Sequence, residues 1–264
     1  MNFLENILIN KMEEVSLLKK NYSIDSFKSM KFYFEKSFSF INGVKSSKNI
    51  SIICEIKKNS PSKGLIRENF NHINIAKIYF NQGVDAISIL TDKEFFQGDI
   101  TFLNEIAQIK KAPLLRKDFI IDEIQIYESK AKGADMILLI CEALSKSQIK
   151  DFTNLANEIG MEVLLELHSI EQLDKIDFDN NKLIGVNNRN LADFSIELST
   201  TKIISKYLPN DIILVSESGI SKKEDIIFLQ SERVNAILVG EHLMRSENIS
   251  EKLSELKQWC SDES

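Results

Sequence analysis

Cysteine is scarce in this chain, and what there is does not pair off. The 264 residues hold three cysteines, Cys54, Cys141 and Cys260, an odd number with no CxxC among them. The three histidines, His72, His168 and His242, are scattered. This pattern argues against a disulfide framework and against a structural zinc site, and reducing cytosol is the expected compartment. Excess positive charge is missing too. The formal net charge is -6, with no basic stripe and no Arg-rich tail, so nucleic acid is not the expected partner and any phosphate site has to be local. No apolar run reaches the length of a membrane span. The opening, MNFLENILINKMEEV, carries acids within its apolar pattern where a signal peptide has a basic region and a cleavage site, so neither signal peptide nor membrane contact is expected. Proline (3) and glycine (9) are few beside abundant Ile, Lys and Asn, which reads as compositional bias. With no linker or low-complexity segment, one domain over residues 1–264 is the expectation.

What is present suits a large core. Hydrophobic residues make up 43% and charged residues 27%, which disfavours disorder. Residues 3–20 show an amphipathic helical pattern, with Leu4, Ile7, Leu8, Met12, Val15 and Leu18 at steps of three and four, read as plain packing onto a core. Residues 26–39, rich in Phe and Lys, read as helical or irregular. From residue 50 the chain alternates. Strand-like runs fall at 51–56, 86–90, 113–116, 136–140, 162–167, 183–186, 212–215 and 236–239. Helical patterns fall at 74–82, 100–109, 122–132, 146–159, 170–175, 198–207, 222–230 and 249–259. Gly83, Gly133 and Gly160 stand where helix C-caps belong. The units Gly83-Val84-Asp85-Ala86 and Gly133-Ala134-Asp135-Met136 resemble each other. Eight near-continuous apolar strands alternating with eight helices predict an α/β fold, a single (β/α)8 TIM barrel over 50–264 with an N-terminal helical extension over 1–49. An open doubly wound sheet is the alternative.

Barrels keep their chemistry at the C-terminal ends of the strands. Strand one ends in Glu55 and Lys57, two residues apart and so on one face, followed by the polar loop Asn59-Ser60-Pro61-Ser62-Lys63-Gly64. On their own, an ion pair of purely structural value is the favoured reading of the first two. Strand two runs into Thr91-Asp92 and a loop with Phe95, Phe96 and Gly98; strand three into Lys117, Asp118 and Phe119; strand five into Glu166; strand six into Asn187 and Arg189; strand seven into Glu217, Ser218 and Gly219; strand eight into Gly240 and Glu241. Lysines and glutamates converging on one rim predict an acid/base set, with a lysine pKa lowered by a second cation and a glutamate pKa raised by burial. The two glycines after strands seven and eight fit the place where such barrels bind phosphate on backbone N–H groups. Glu241 is expected to turn its carboxylate away from that anion.

These segments resemble one family, indole-3-glycerol phosphate synthase: CEIKKNSPSKG (54–64), ISILTDKEFFQGD (87–99), LLRKDFIIDEIQIYESKAKGAD (114–135), LLELHS (164–169), IGVNNRNL (184–191), VSESGI (215–220) and LVGEHLMR (238–245). The resemblance implies ring closure, decarboxylation and dehydration of 1-(2-carboxyphenylamino)-1-deoxyribulose 5-phosphate, with no cofactor and no metal. It implies Lys117 as the acid on the carbonyl and Glu166 as the base. Lys57, Ser60, Asn187 and Arg189 would bind the carboxylate and sugar hydroxyls, and Glu55 and Glu217 would orient the lysines. Phe96, Phe119 and Leu138 would form an apolar slot, with the phosphate on the N–H groups of Ser218, Gly219, Gly240 and Glu241. Ser60-Pro61-Ser62 would cover the substrate. Asp99 and the pair Cys141-Glu142 depart from the family pattern. The expected partner is a phosphorylated small molecule. A monomer is expected, weakly associated or unassociated with other tryptophan-pathway enzymes. An aminopentulose-phosphate isomerase and a non-catalytic phosphosugar-binding barrel are the competing readings.

Overall fold

A computed structural model describes residues 3–261. Eight parallel strands close a barrel: β1 (Ser51–Ile56), β2 (Ala86–Leu90), β3 (Leu114–Lys117), β4 (Met136–Ile140), β5 (Glu162–Leu167), β6 (Leu183–Asn187), β7 (Ile213–Glu217) and β8 (Ala236–Val239). Each pairs with its sequence neighbours, and β1 closes the ring by pairing with both β2 and β8. Three strands end later than their apolar patterns suggest. β3, β6 and β7 run on through Lys117, Asn187 and Glu217, because the ladder continues past the last apolar side chain into the polar rim.

Strand alternation sorts the side chains. Ile52, Cys54 and Ile56 face outward and join the core under the helices, whereas Ile53, Leu115, Leu138, Leu164, Val215 and Leu238 fill the barrel interior. The interior series continues two residues on, which aims Glu55, Lys117, Glu166 and Glu217 up the barrel axis. The repeated Gly-x-Asp units have a local cause. Gly83 and Gly133 adopt φ of 62° and 94° to leave their helices. Asp85 then accepts the Ile52 N–H at 2.8 Å, and Asp135 accepts the Leu114 N–H at 2.9 Å, fixing the start of each adjacent strand.

Helices cover the outside: α4 (His72–Asn81), α5 (Ile100–Ala107), α6 (Glu123–Ala131), α7 (Lys146–Glu158), α8 (Ser199–Ser205), α9 (Lys223–Ser231), the short α10 (Glu241–Met244) and α11 (Ile249–Ser261). Asp99 N-caps α5 by accepting the Thr101 N–H at 2.8 Å. The pattern at 170–175 forms a 3-10 helix, Ile170–Lys175, with none of its residues buried. So short a segment has no apolar stripe to hold an α-helix against the barrel.

The extension closes both ends of the barrel. It comprises α1 (Phe3–Asn21), α2 (Ile24–Lys28), a 3-10 turn (Lys31–Phe34) and α3 (Phe40–Ser46). At the N-terminal end, the Glu162 carboxylate accepts from Ser39 Oγ and the N–H groups of Phe40 and Ile41, which seats α3 with Phe40 and Val44 buried. At the other end α1 corrects the reading of its stripe. Met12 is 61% exposed, and the buried positions are Leu4, Ile7, Lys11 and Val15. Lys11, 1% exposed, bonds Glu14 at 2.6 Å, Asp118 at 2.9 Å and Asp92 at 3.1 Å. A residue without apolar character thus occupies a core position, because two buried carboxylates need its charge.

Candidate active site

The fifteen residues singled out from the sequence line one cavity of about 580 Å³ at the C-terminal end of the barrel. Lys117 stands at its centre. Its ammonium is 2.9 Å from Glu166 and 3.8 Å from Glu217. At the end of β1, Lys57 pairs with Glu55. Glu55, Glu166 and Glu217 are all buried. Two glycines make room for them. A Cβ on Gly185 would stand 2.3 Å from Glu217 Oε1, and one on Gly240 would stand 2.2 Å from Glu55 Oε2. Neither clash could be relieved without moving a carboxylate.

The electrostatics correct the expected acid/base set. Burial by itself would lower the Lys117 pKa, but Glu166, Glu217 and Glu55 outweigh it and raise the pKa above the ordinary lysine value. No second cation depresses it, because Lys57 is already paired with Glu55. Burial works against ionised Glu166, yet Lys117 and then His168 hold its pKa down at about 2. The glutamate raised by burial is Glu217: desolvation, followed by the adjacent Glu166 charge, pushes it well above the carboxylate range. The two shifts run in opposite directions, so Glu217 holds its proton where Glu166 holds the charge.

Ser60 Oγ is buried in the cavity wall with no hydrogen-bond partner, an unclaimed donor beside Lys57. Beyond it, residues 59–60 and 64–65 pair as a small antiparallel ribbon, so the expected polar loop is a hairpin. Arg189 donates to Ser62 Oγ at 3.2 Å and to the Phe194 carbonyl at 3.4 Å, tying this hairpin to the loop after β6. Asn187 Oδ1 accepts the Arg189 N–H at 3.0 Å. Phe96 and Phe119 lie with ring centroids 6.2 Å apart and, with Leu138, form an apolar wall.

After β7, Ser218 and Gly219 both adopt left-handed backbone, φ 68° and 82°. Asn188 supports that turn, donating to the Glu217 and Ser218 carbonyls at 2.9 and 3.2 Å. Gly240 leads into α10. The Glu241 carboxylate is held by Arg245 at 2.9 Å and lies 3.8 Å from Arg189.

Sequence reasoning missed a lining residue and two residues beside the cavity. Phe3, from α1, reaches the cavity and packs edge-on against Phe95 and Phe194. Lys11 lies behind the wall, bonded to the Asp118 that follows Lys117. A lysine in register with Leu4, Ile7 and Val15 was the available signal. His168 comes within 3.4 Å of Glu166. Among the described residues, no group of three or more His, Cys, Asp or Glu could hold a metal ion, and no helix is long and apolar enough to cross a membrane.

A family model described as indole-3-glycerol phosphate synthase matches residues 4–256. Curated proteins of that name are similar to this chain. One from Acetivibrio thermocellus is 46% identical over 222 residues, covering 84% of this chain and 85% of the relative. One from Desulforamulus reducens is 42% identical over 254 residues, covering 96% of each. One from Legionella pneumophila is 44% identical over 255 residues, covering 97% of this chain and 98% of the relative. Among solved structures, KGPDC from Streptococcus mutans superposes with TM-score 0.62 at 12% identity, over 81% of this chain and 98% of that one. A 3-hexulose-6-phosphate synthase does so with TM-score 0.62 at 13% identity, over 80% and 100%. At such identities these two speak for the barrel fold alone.

Proposed function

The chain belongs to the indole-3-glycerol phosphate synthase family, and from that premise we propose how this cavity carries out the family's reaction. The enzyme is a carboxy-lyase of tryptophan biosynthesis acting on a phosphorylated small molecule. The substrate is 1-(2-carboxyphenylamino)-1-deoxyribulose 5-phosphate, and the products are indole-3-glycerol phosphate, carbon dioxide and water.

One observation carries the assignment: the Lys117 ammonium stands at the centre of the cavity, 2.9 Å from buried Glu166 and 3.8 Å from buried Glu217. As the aromatic carbon attacks the carbonyl, negative charge builds on its oxygen. The Lys117 ammonium stabilises that charge in a low-dielectric site and gives up its proton as the alkoxide forms. Its raised pKa keeps it charged until then. Lys57, Ser60, Asn187 and Arg189 hold the carboxylate and the sugar hydroxyls beside the closing ring, and loss of carbon dioxide restores the aromatic system. Glu166, ionised by its neighbours, then takes the proton from the sugar carbon as the hydroxyl leaves. Glu55 orients Lys57, and Glu217 orients Lys117 and Glu166. Phe96, Phe119 and Leu138 receive the aromatic ring. The N–H groups of Ser218, Gly219, Gly240 and Glu241 receive the phosphate, where left-handed backbone at 218–219 turns successive N–H groups to one side. The Arg245 contact is consistent with Glu241 offering only its N–H there. The hairpin bearing Ser60-Pro61-Ser62 covers the bound substrate.

A cytoplasmic monomer, with weak or no association with other pathway enzymes, completes the reading. Three free, buried cysteines support the compartment, and sedimentation of the purified protein checks the monomer. The catalytic assignment is tested by Lys117→Met. Replacing the acid is expected to lower kcat at least about 100-fold with the fold intact, read as indole fluorescence. Near-normal turnover would remove Lys117 from the acid role.

A further inference from the structure

Under the proposed reaction, on which this inference rests, each turnover takes up one proton from solvent. The substrate carries a carboxylate, and its carbon departs as neutral carbon dioxide. The carbonyl oxygen receives one proton and the departing hydroxyl another, while the base recovers one from the sugar carbon. Two are given and one is regained. The remaining proton has to reach Glu166, which is buried, and through it Lys117, while substrate fills the cavity above them.

His168 stands where such a proton would pass. Its Nε2 is 3.4 Å from Glu166 Oε1, and its Nδ1 is 3.6 Å from Glu142 Oε2. The imidazole side chain is 8% exposed, and neither ring nitrogen has a hydrogen-bond partner. The Glu142 side chain beyond it is 40% exposed. His168 also lines a second, polar cavity of about 410 Å³, walled by Asn187, Asn188, Asn190, Glu197 and Thr200. Asn190 and Glu197 are exposed at its rim, so this cavity meets solvent apart from the substrate's entrance. Asn187 lines both cavities and forms part of the partition. The ring is not needed to hold the local backbone, because Gln172 Oε1 already accepts the His168 N–H at 2.8 Å.

We propose that His168 is a proton relay joining the second cavity to the reacting groups, acting through Glu166 and not on the substrate. Its imidazolium gives the Nε2 proton to the Glu166 carboxylate. Glu166, now a carboxylic acid, passes a proton across 2.9 Å to the neutral Lys117 amine. The neutral ring keeps its Nδ1 proton; rotation of the imidazole exchanges its two nitrogens, and the vacant Nε2 then takes a proton from water in the second cavity or from Glu142, which restores the imidazolium. One proton enters and one ammonium is restored, with no other bond changed. Glu142 places a carboxyl group at the outer end of the relay.

Two variants test this. His168→Gln keeps an N–H donor of similar size but cannot relay a proton. It is expected to lower kcat by about tenfold, to leave KM within about threefold, and to enlarge the solvent deuterium isotope effect on kcat. His168→Ala leaves room for a diffusible base. Its kcat is expected to rise about threefold or more with added imidazole, in buffer where the wild type does not respond. A His168→Gln kcat within about twofold of wild type, or an unchanged isotope effect, overturns the relay even if His168→Ala fails to fold. So does a His168→Ala defect that imidazole leaves untouched. Either result can arise while the wild type makes indole normally, in which case the catalytic reading stands; a wild type that makes none overturns that reading and the relay with it.

Discussion

Lys117, Glu166 and Glu217 are three ionisable groups in a space that tolerates little net charge, and their protonation states follow from each other. Lys117 keeps its proton because carboxylates surround it, Glu166 loses its proton because Lys117 is 2.9 Å away, and Glu217 keeps one because Glu166 is already charged. Replacement by glutamine should therefore hurt unequally. Glu217→Gln mimics the protonated acid already present, whereas Glu166→Gln removes the charge that takes the proton. Glu166→Gln is expected to lower kcat at least about tenfold more than Glu217→Gln, measured by steady-state indole formation. The same states fix a stability trend. Glu166, lowered to about 2 from 4.5, favours folding above pH 4.5, and that contribution is lost as pH falls towards 2. Glu217 has the opposite sign: its contribution is complete below pH 4.5 and is lost as pH rises through its raised value. Relative to wild type, the Tm of Glu217→Gln should climb as pH rises from 4.5, and a pH-independent difference would contradict the assignment. The identities of these residues were legible in the sequence, because polar side chains ending apolar runs stand out. Their charge states were not. The expectation of a lysine lowered by a second cation failed because side-chain pairing, here Lys57 with Glu55, is a property of the folded rim.

At the scale of elements, α1 is the part that the sequence misrepresents. Its stripe reads as packing, with Met12 among its members. In the fold Met12 faces solvent and Lys11 is buried between Asp92 and Asp118. Asp92 also accepts the Phe95 and Phe96 N–H groups, at 2.9 and 3.2 Å, and Asp118 accepts from Thr91 and Arg116, at 2.5 and 3.2 Å. One lysine of the extension thus braces the loops after β2 and β3. Lys11→Met would leave Asp92 buried without its cation and Asp118 with Arg116 alone. A loss of about 3–5 kcal/mol is expected, a fall in Tm of about 10 °C, read by calorimetry. An apolar stripe passes over this, because it scores a lysine as polar whatever charge awaits it; the register of Lys11 with Leu4, Ile7 and Val15 is the one sign of it. The strand-eight turn makes a subtler case. Gly240→Ala would drive a methyl group into the Glu55 carboxylate. The expected outcome is a drop of about tenfold in kcat/KM with a loss of only about 1–3 kcal/mol in stability, because the displaced group belongs to the rim and not to the core. Strand positions were otherwise well foreshadowed, since β1, β2, β4, β5 and β8 run as their apolar patterns suggest. The remaining three run on into the polar rim, where hydropathy gives no signal.

On the scale of the whole molecule, the barrel follows from one rule applied eight times: an apolar strand, a helix across it, and polar side chains at the strand's C-terminal end. Closure brings residues as distant in sequence as Glu55 and Gly240 to one cavity. The extension seals the opposite end through α3 and Glu162 and reaches the cavity through Phe3. We propose that extension and barrel form one domain, and a single calorimetric transition is expected. Polar rim residues, read strand by strand, carried the site in the sequence. The second cavity and its histidine did not show there, because a cavity is a property of packing. The central claim is that this cavity closes an indole ring with loss of the substrate's carboxyl carbon. It is tested by incubating the purified protein with 1-(2-carboxyphenylamino)-1-deoxyribulose 5-phosphate and following indole absorbance and carbon dioxide release together. The account predicts that both appear at the same rate in equal amounts; substrate consumed with no carbon dioxide, or bound with no indole formed, would contradict it.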